Sequence, residues 1–172
     1  MENKVDIQEN KGVFIVKICG NASLEIASTL RDLATRVDKT ENISKLAFNM
    51  KECLWMDSTF MGMLAILAMS ALGKGVKPDV YYASEDVVNM LNGLGLGKIL
   101  NYTSEELQPL ENDSDMKISS VKEKTSIFEN ADNVMTAHKK LMEIDEQNIQ
   151  RFDSMVKMVE QDIANRKKES GD

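Results

Sequence analysis

Met56-Asp57-Ser58-Thr59-Phe60-Met61-Gly62 sets a short acidic and hydroxyl cluster directly in front of residues 60–72, a run without a single charge. That run is too short to cross a bilayer and has the length of a helix buried in a globular core. Side chains of Asp, Ser and Thr accept hydrogen bonds from the N–H groups that a helix's first turn leaves open, so the helix is expected to start at Asp57 or Ser58. A hydroxyl then stands at the positive end of a helix, where backbone N–H groups and the macrodipole favour an anion. Phosphorylation there would add about −1.5 to −2 charges.

On either side the pattern alternates. Lys45-Leu46-Ala47-Phe48-Asn49-Met50 reads as a short apolar strand, and Leu54-Trp55-Met56 leads into the helix. Residues 76–82 form a second strand candidate, after which Ser84 is placed to cap another helix. Upstream, Val5-Asp6-Ile7 and residues 12–18 alternate as a hairpin around a turn at Glu9-Asn10-Lys11-Gly12. Leu24, Ile26, Ala27, Leu30, Leu33, Ala34 and Val37 recur at helical spacing on one face. Hairpin, helix, strand, helix, strand, helix and a short last strand predict an α/β fold, a mixed sheet of four to five strands packed with helices. Gly93-Leu94-Gly95-Leu96-Gly97 follows a predicted helix and lacks Gly-x-Gly-x-x-Gly spacing, so it reads as a turn and cap instead of a phosphate cradle.

The succession of elements around Asp57-Ser58-Thr59, from residue 4 to about residue 108, resembles the STAS domain family of anti-sigma-factor antagonists. That family carries Asp-Ser-Ser/Thr-Gly-Leu-Gly at the corresponding point, and its signature serine falls on Ser58. This chain has Phe60 in place of the first glycine and keeps the second as Gly62; where the family often reads Gly-Glu-Leu-Asp it reads Gly20-Asn21-Ala22-Ser23. The resemblance implies a regulatory, protein-binding module of a bacterial transcription pathway. Its partner would be an anti-sigma factor that is also a serine kinase, with Ser58 as phosphoacceptor and a serine phosphatase to reverse the modification. It also implies that Asp57 shapes the site and that Asn21, Ser23, Asp57, Ser58, Thr59, Phe60, Met61 and Met63 lie on or near the partner surface. Phe60 is expected to stand out as an aromatic contact. The alternative is a scaffold that does not switch and assembles a signalling or transport complex through its C-terminal helix.

Bulk properties agree with a protein-binding role. With 172 residues and 42% hydrophobic content, the chain has room for one ordinary domain, residues 1–110, and an extension. A net charge of −7 argues against a nucleic-acid surface, which needs a basic footprint. Neither a signal pattern nor a membrane-length apolar run is seen, so the cytoplasm is the expected compartment. Cys19 and Cys53 have no Cys-x-x-Cys spacing and read as buried thiols of a reducing compartment.

Residues 111–125 are polar and charged and read as a linker, ahead of a helical extension over 126–169 and a tail at 170–172. Within the extension Phe128, Met135, Met142, Ile149, Val156 and Ile163 recur every seven residues, with Phe152 and Val159 at the complementary seam position. His138 and Asp145 also fall in that seam, and neither Gly nor Pro interrupts the segment. A straight helix of about 41 residues would be about 60 Å long, while a domain of about 110 residues is roughly 34 Å across. The segment therefore bends into two helices or finds another chain, and self-association through the seam is the expectation. Catalysis is not expected. The single histidine, His138, lies on the distal helix, and a Ser-His-Asp arrangement with Ser58 would need long-range docking that no local pattern announces. No His/Cys/carboxylate cluster has metal-ligand spacing, and no cofactor is implied.

Overall fold

A computed structural model describes residues 1–110, 116–120 and 126–171, with the backbone alone for 116–120 and Phe128. The N-terminal hairpin forms as read, β1 (Lys4–Asn10) pairing antiparallel with β2 (Val13–Ala22). Lys11 and Gly12, the two residues of its turn, both sit at positive φ, the backbone twist that tight hairpins require. The chain then runs α1 (Leu24–Lys39), β3 (Lys45–Met56), α2 (Ser58–Gly73), β4 (Asp79–Tyr81), α3 (Glu85–Gly93), a single 3-10 turn and β5 (Asn101–Thr103). From β2 to β5 neighbouring strands are parallel and step in one direction. Right-handed crossovers on such a march place α1, α2 and α3 on one face of the sheet.

The burial pattern follows from that arrangement. Val5, Ile7, Phe14, Val16, Ile18, Leu46, Phe48, Met50 and Val80 alternate along their strands and form one core with the helices. α1 contributes six of its seven predicted positions as buried residues, and Leu24 at its start is half-buried. α2 is apolar all round because it is covered all round, by the sheet, α1 and a later helix. On the opposite face Ile15, Ala47 and Tyr81 pack with Leu107 and Leu110. Cys19 and Cys53 are buried free thiols, and burial pushes the Cys53 thiol up to about 11.

Two features depart from the sequence reading. A sixth strand, β6 (Met116–Ser120), pairs antiparallel with β1 at the sheet edge, inside the segment expected to be a linker; the rest of that segment lies outside the described residues. The helical extension is two helices, α4 (Ile127–Ile144) and α5 (Glu146–Glu169). Asp145 breaks them in an extended conformation, and its Oδ1 accepts the Gln147 N–H at 2.9 Å as the cap of α5. The hairpin folds back, α4 packing on α2 and α1.

The buried face of α4 shares only His138 with the heptad seam. Met135 and Met142 are half-buried, whereas Asn133, Ala137, His138 and Leu141 are buried. In α5, Phe152 lies edge-on to the His138 ring with centroids 4.7 Å apart, and Val156 is buried within the chain. Val159 and Ile163 are half-buried and Ile149 is exposed, and the side chain of Phe128 lies outside the described residues.

The glycine-rich turn after α3 receives the hairpin. Asn148 is buried and donates its Nδ2 hydrogens to the Leu94 carbonyl at 2.9 Å and the Leu141 carbonyl at 2.8 Å. Arg151 donates to the Gly93 carbonyl, and Lys98 pairs with Asp145 at 3.1 Å. Gly95, at φ +80, faces Asp145 so closely that a Cβ would come within 2.7 Å of its Oδ2. Replacing Asn148 by Ala removes the side-chain donor from both carbonyls, of which Leu141 keeps the Asp145 N–H. The variant should lose about 1–3 kcal/mol in urea unfolding, and an unchanged midpoint would show that the turn is held by its apolar contacts alone.

Candidate functional site

The parallel pairing of β2 and β3 is interrupted by register shifts between Lys17 and Cys19 and between Gly20 and Asn21. Such irregularities bend and re-aim a strand end, and here they bring the ends of β2 and β3 level, with Ala22 opposite Met56. Asp57 follows, and its N–H donates to the Ala22 carbonyl at 3.0 Å. Its carboxylate is shared by two helices: Oδ1 accepts the Phe60 N–H at 2.7 Å, capping α2, and Oδ2 accepts the Leu24 N–H at 2.8 Å at the start of α1. Asp57 is thus the cap, and Ser58 is the first residue of the helix.

Because Asp57 does the capping, the Ser58 hydroxyl is released for another partner. Its Oγ lies 2.8 Å from Nε2 of His138, eighty positions along the chain on α4. The other ring nitrogen, Nδ1, lies 2.6 Å from the Val134 carbonyl. A carbonyl only accepts, so Nδ1 carries a proton; in the neutral imidazole Nε2 is then the acceptor and the Ser58 hydroxyl donates. Burial holds the His138 imidazole below its ordinary pKa, while the Val134 carbonyl and the Asp57 carboxylate act in the opposite sense.

The long-range docking that the sequence did not announce therefore takes place. It pairs a hydroxyl with a neutral base at a helix N-terminus. It does not assemble a Ser-His-Asp triad, because a backbone carbonyl stands where the carboxylate would hold Nδ1. A cleft of about 670 Å³ lies on the other face of the sheet, bordered by Asp6, Lys17, Lys51 and Tyr82, and neither Ser58 nor His138 lines it. Among the described residues no group of His, Cys, Asp and Glu is arranged to hold a metal ion. No helix among them is long and apolar enough to cross a membrane.

Around this pair the predicted contact residues divide. Asn21 is exposed, and Ser23, half-buried, caps α1 by accepting the Glu25 N–H. Ser58 and Asp57 are half-buried at the edge of α4. Thr59, Phe60, Met61 and Met63 are buried. Phe60, expected to stand out, is fully enclosed, because the first turn of α2 is covered by the core on one side and α4 crosses the helix further along. The exposed large side chains near the motif are instead Leu54 and Trp55, at the end of β3.

Gly62 explains how closely α4 approaches. A Cβ there would meet the Ala137 carbonyl oxygen at 2.5 Å and the Ala137 Cβ at 2.6 Å. Beside this contact Arg31 of α1 donates to Asp132 at 2.6 Å and to Asn133 at 2.8 Å, tying α4 to α1 as well. No protein-family model matches the chain.

Two outcomes follow from this geometry. Phe60→Ala should cost about 3–5 kcal/mol of folding stability as a cavity-forming change, whereas a loss within experimental error would place the ring at the surface. For His138, the unfolded chain binds a proton below the ordinary value of 6.5, and the folded chain, its pKa lowered, binds one only at lower pH. The stability that neutral His138 brings is complete above that value and is lost as pH falls through it toward the folded-state pKa. Urea unfolding of the native chain should therefore weaken more steeply than that of His138→Gln between about pH 7.5 and about pH 5.5; parallel losses would show that His138 titrates as it does in the unfolded chain.

Proposed function

We propose that the protein is a regulatory binding module of the anti-sigma-factor antagonist kind, whose partner is a kinase-type anti-sigma factor and whose switch is phosphorylation of Ser58. The observation that carries the reading is the placement of Ser58 as first residue of α2, with its hydroxyl freed from capping by Asp57. Three further features support it: the motif Asp57-Ser58-Thr59 with Gly62, the march of parallel strands from β2 to β5, and an acidic chain with a net charge of −7. In this reading an added dianion at Ser58 has to be desolvated on binding and repels acidic groups of the partner, which releases it. A serine phosphatase restores the hydroxyl.

A second reading, a scaffold that assembles a complex through its C-terminal helices without switching, draws on the Ser58 hydrogen bond to His138, which occupies the hydroxyl. Affinity capture from the native cell separates the two. Ser58→Ala should retain the main partner and Ser58→Asp should lose it; equal capture by both variants would favour the scaffold.

A further inference from the structure

The helices α4 and α5 lie over the very residue that the switch reading modifies. The Ser58 hydroxyl donates to a buried imidazole at 2.8 Å, a separation that leaves no volume for a phosphoryl group between the two side chains. Among the described residues, the side chains bonded to this pair include no Lys or Arg to balance a dianion. His138 is the side chain that meets Ser58, and its burial disfavours the charged form that would pair with a phosphoryl group; Asp57, the adjacent residue, is an acid whose carboxylate is already committed to two backbone N–H groups. The packing next to the site is equally unforgiving, since Ala137, the neighbour of His138, rests on Gly62 with no room for even one carbon. A phosphoryl group cannot take the present position of the Ser58 hydroxyl while His138 stays docked against it.

We infer that phosphorylation of Ser58 evicts the α4–α5 hairpin from the domain, so that the modification is read out through the C-terminal helices as well as at Ser58 itself. The inference rests on the switch reading above and adds an intramolecular competitor to it. In the docked state the hydroxyl is spent on His138 and a kinase cannot surround it, so the modified population is drawn from molecules in which α4 has lifted. The hydroxyl oxygen then attacks the γ-phosphorus of a nucleoside triphosphate held by the kinase. The Oγ–P bond forms as the bond to the bridging oxygen breaks, the diphosphate leaves, and the hydroxyl proton passes to a base on the kinase. The phosphoserine gains the N–H groups and dipole of the first turn of α2 and bars the return of His138. Removal of the phosphoryl group lets α4 settle again.

The break is confined to one layer. The largest fully buried side chains all belong to the sheet, α1 and α2, while α4 covers one side of α2 and is held at Ser58, at Gly62, by Arg31 and through the turn at Gly93 to Lys98. The released hairpin uncovers Ala137 and Leu141, which are buried in the docked state.

Amide hydrogen exchange on the full-length chain tests this without any partner. Phosphoserine is installed at position 58 by genetic encoding, and exchange is compared with that of the unmodified chain. The amides of α4 and α5 should exchange about tenfold faster or more, while those of β2 and β3 keep their protection. Gly62→Ala, which pushes on Ala137 and leaves Ser58 unmodified, should give the same pattern. Unchanged protection of α4 and α5 in the phosphoserine chain overturns the inference, and so does a loss shared equally by β2 and β3, which would mean that the hairpin is inseparable from the domain. Partner capture with the Ser58 variants fails or succeeds independently of this measurement, so loss of the switch reading and loss of the eviction are told apart.

Discussion

The carboxylate of Asp57 is the constraint on which the site depends. A helix N-terminus leaves several N–H groups without intrahelical partners, and α1 and α2 begin side by side because β2 and β3 end level with each other. One carboxylate with two oxygens serves both helices. Charge-assisted bonds of this kind are stronger than neutral ones, and a negative group is favourable at both positive helix ends. The arrangement fixes the relative height of α1 and α2, and it sets Ser58 one residue beyond the cap, where its hydroxyl has no capping to do. Every later feature of the site, the bond to His138 included, presupposes that free hydroxyl.

The contrast between the two helices that flank α2 shows how differently they are held. α1 buries six apolar residues, and apolar area removed from water is the main favourable term in folding. α4 buries Ala137 and Leu141 alongside Asn133 and His138. Buried polar groups satisfied by hydrogen bonds add little net stability, but leaving them unsatisfied is costly. A face of this composition is selective in where it docks: His138 needs an acceptor-seeking hydroxyl, Asn133 a donor such as Arg31, and Ala137 a glycine. The domain offers all three at one level of α1 and α2.

The parts of this fold that were legible in the sequence are those fixed by neighbours in the chain. The β1–β2 turn at Lys11-Gly12, the apolar stripe of α1, and the caps at Ser23, Asp57 and Ser84 each rest on a few consecutive residues. What stayed hidden depends on contacts between distant segments. The sevenfold recurrence in residues 128–163 suggested a seam, yet Gly62 and the turn at Gly95 select a different face of α4 and a break at Asp145. Asp145-Glu146 carries a local signal for that break, an acidic cap followed by an acid in the first turn, whereas the sequence reading placed Asp145 in the seam. Phe60 was misplaced because the cover over the first turn of α2 comes from elsewhere in the chain. The pairing of Ser58 with His138 has no local signature at all: a lone histidine eighty positions away becomes its partner only once α4 lies across Gly62.

Among the described residues α4 and α5 bring only Ala137, Leu141 and Val156 as buried apolar side chains, beside several polar anchors, and α4 in turn covers one side of the apolar α2, so the hairpin is the layer expected to open apart from the sheet. Local opening of this sort proceeds in contiguous units whose stability follows the apolar area they bury. The hairpin is one such unit, joined at the Asp145 turn and continuous through the His138–Phe152 contact. Its polar anchors are also the groups that water replaces most readily: the Arg31–Asp132 pair and the Lys98–Asp145 pair are both partly exposed, and pairs in contact with solvent contribute little, roughly 0–1 kcal/mol each. The buried contacts at Ser58, Gly62 and Asn148 therefore decide whether the hairpin stays. Of these three, Ser58 is the one that the proposed phosphorylation would alter.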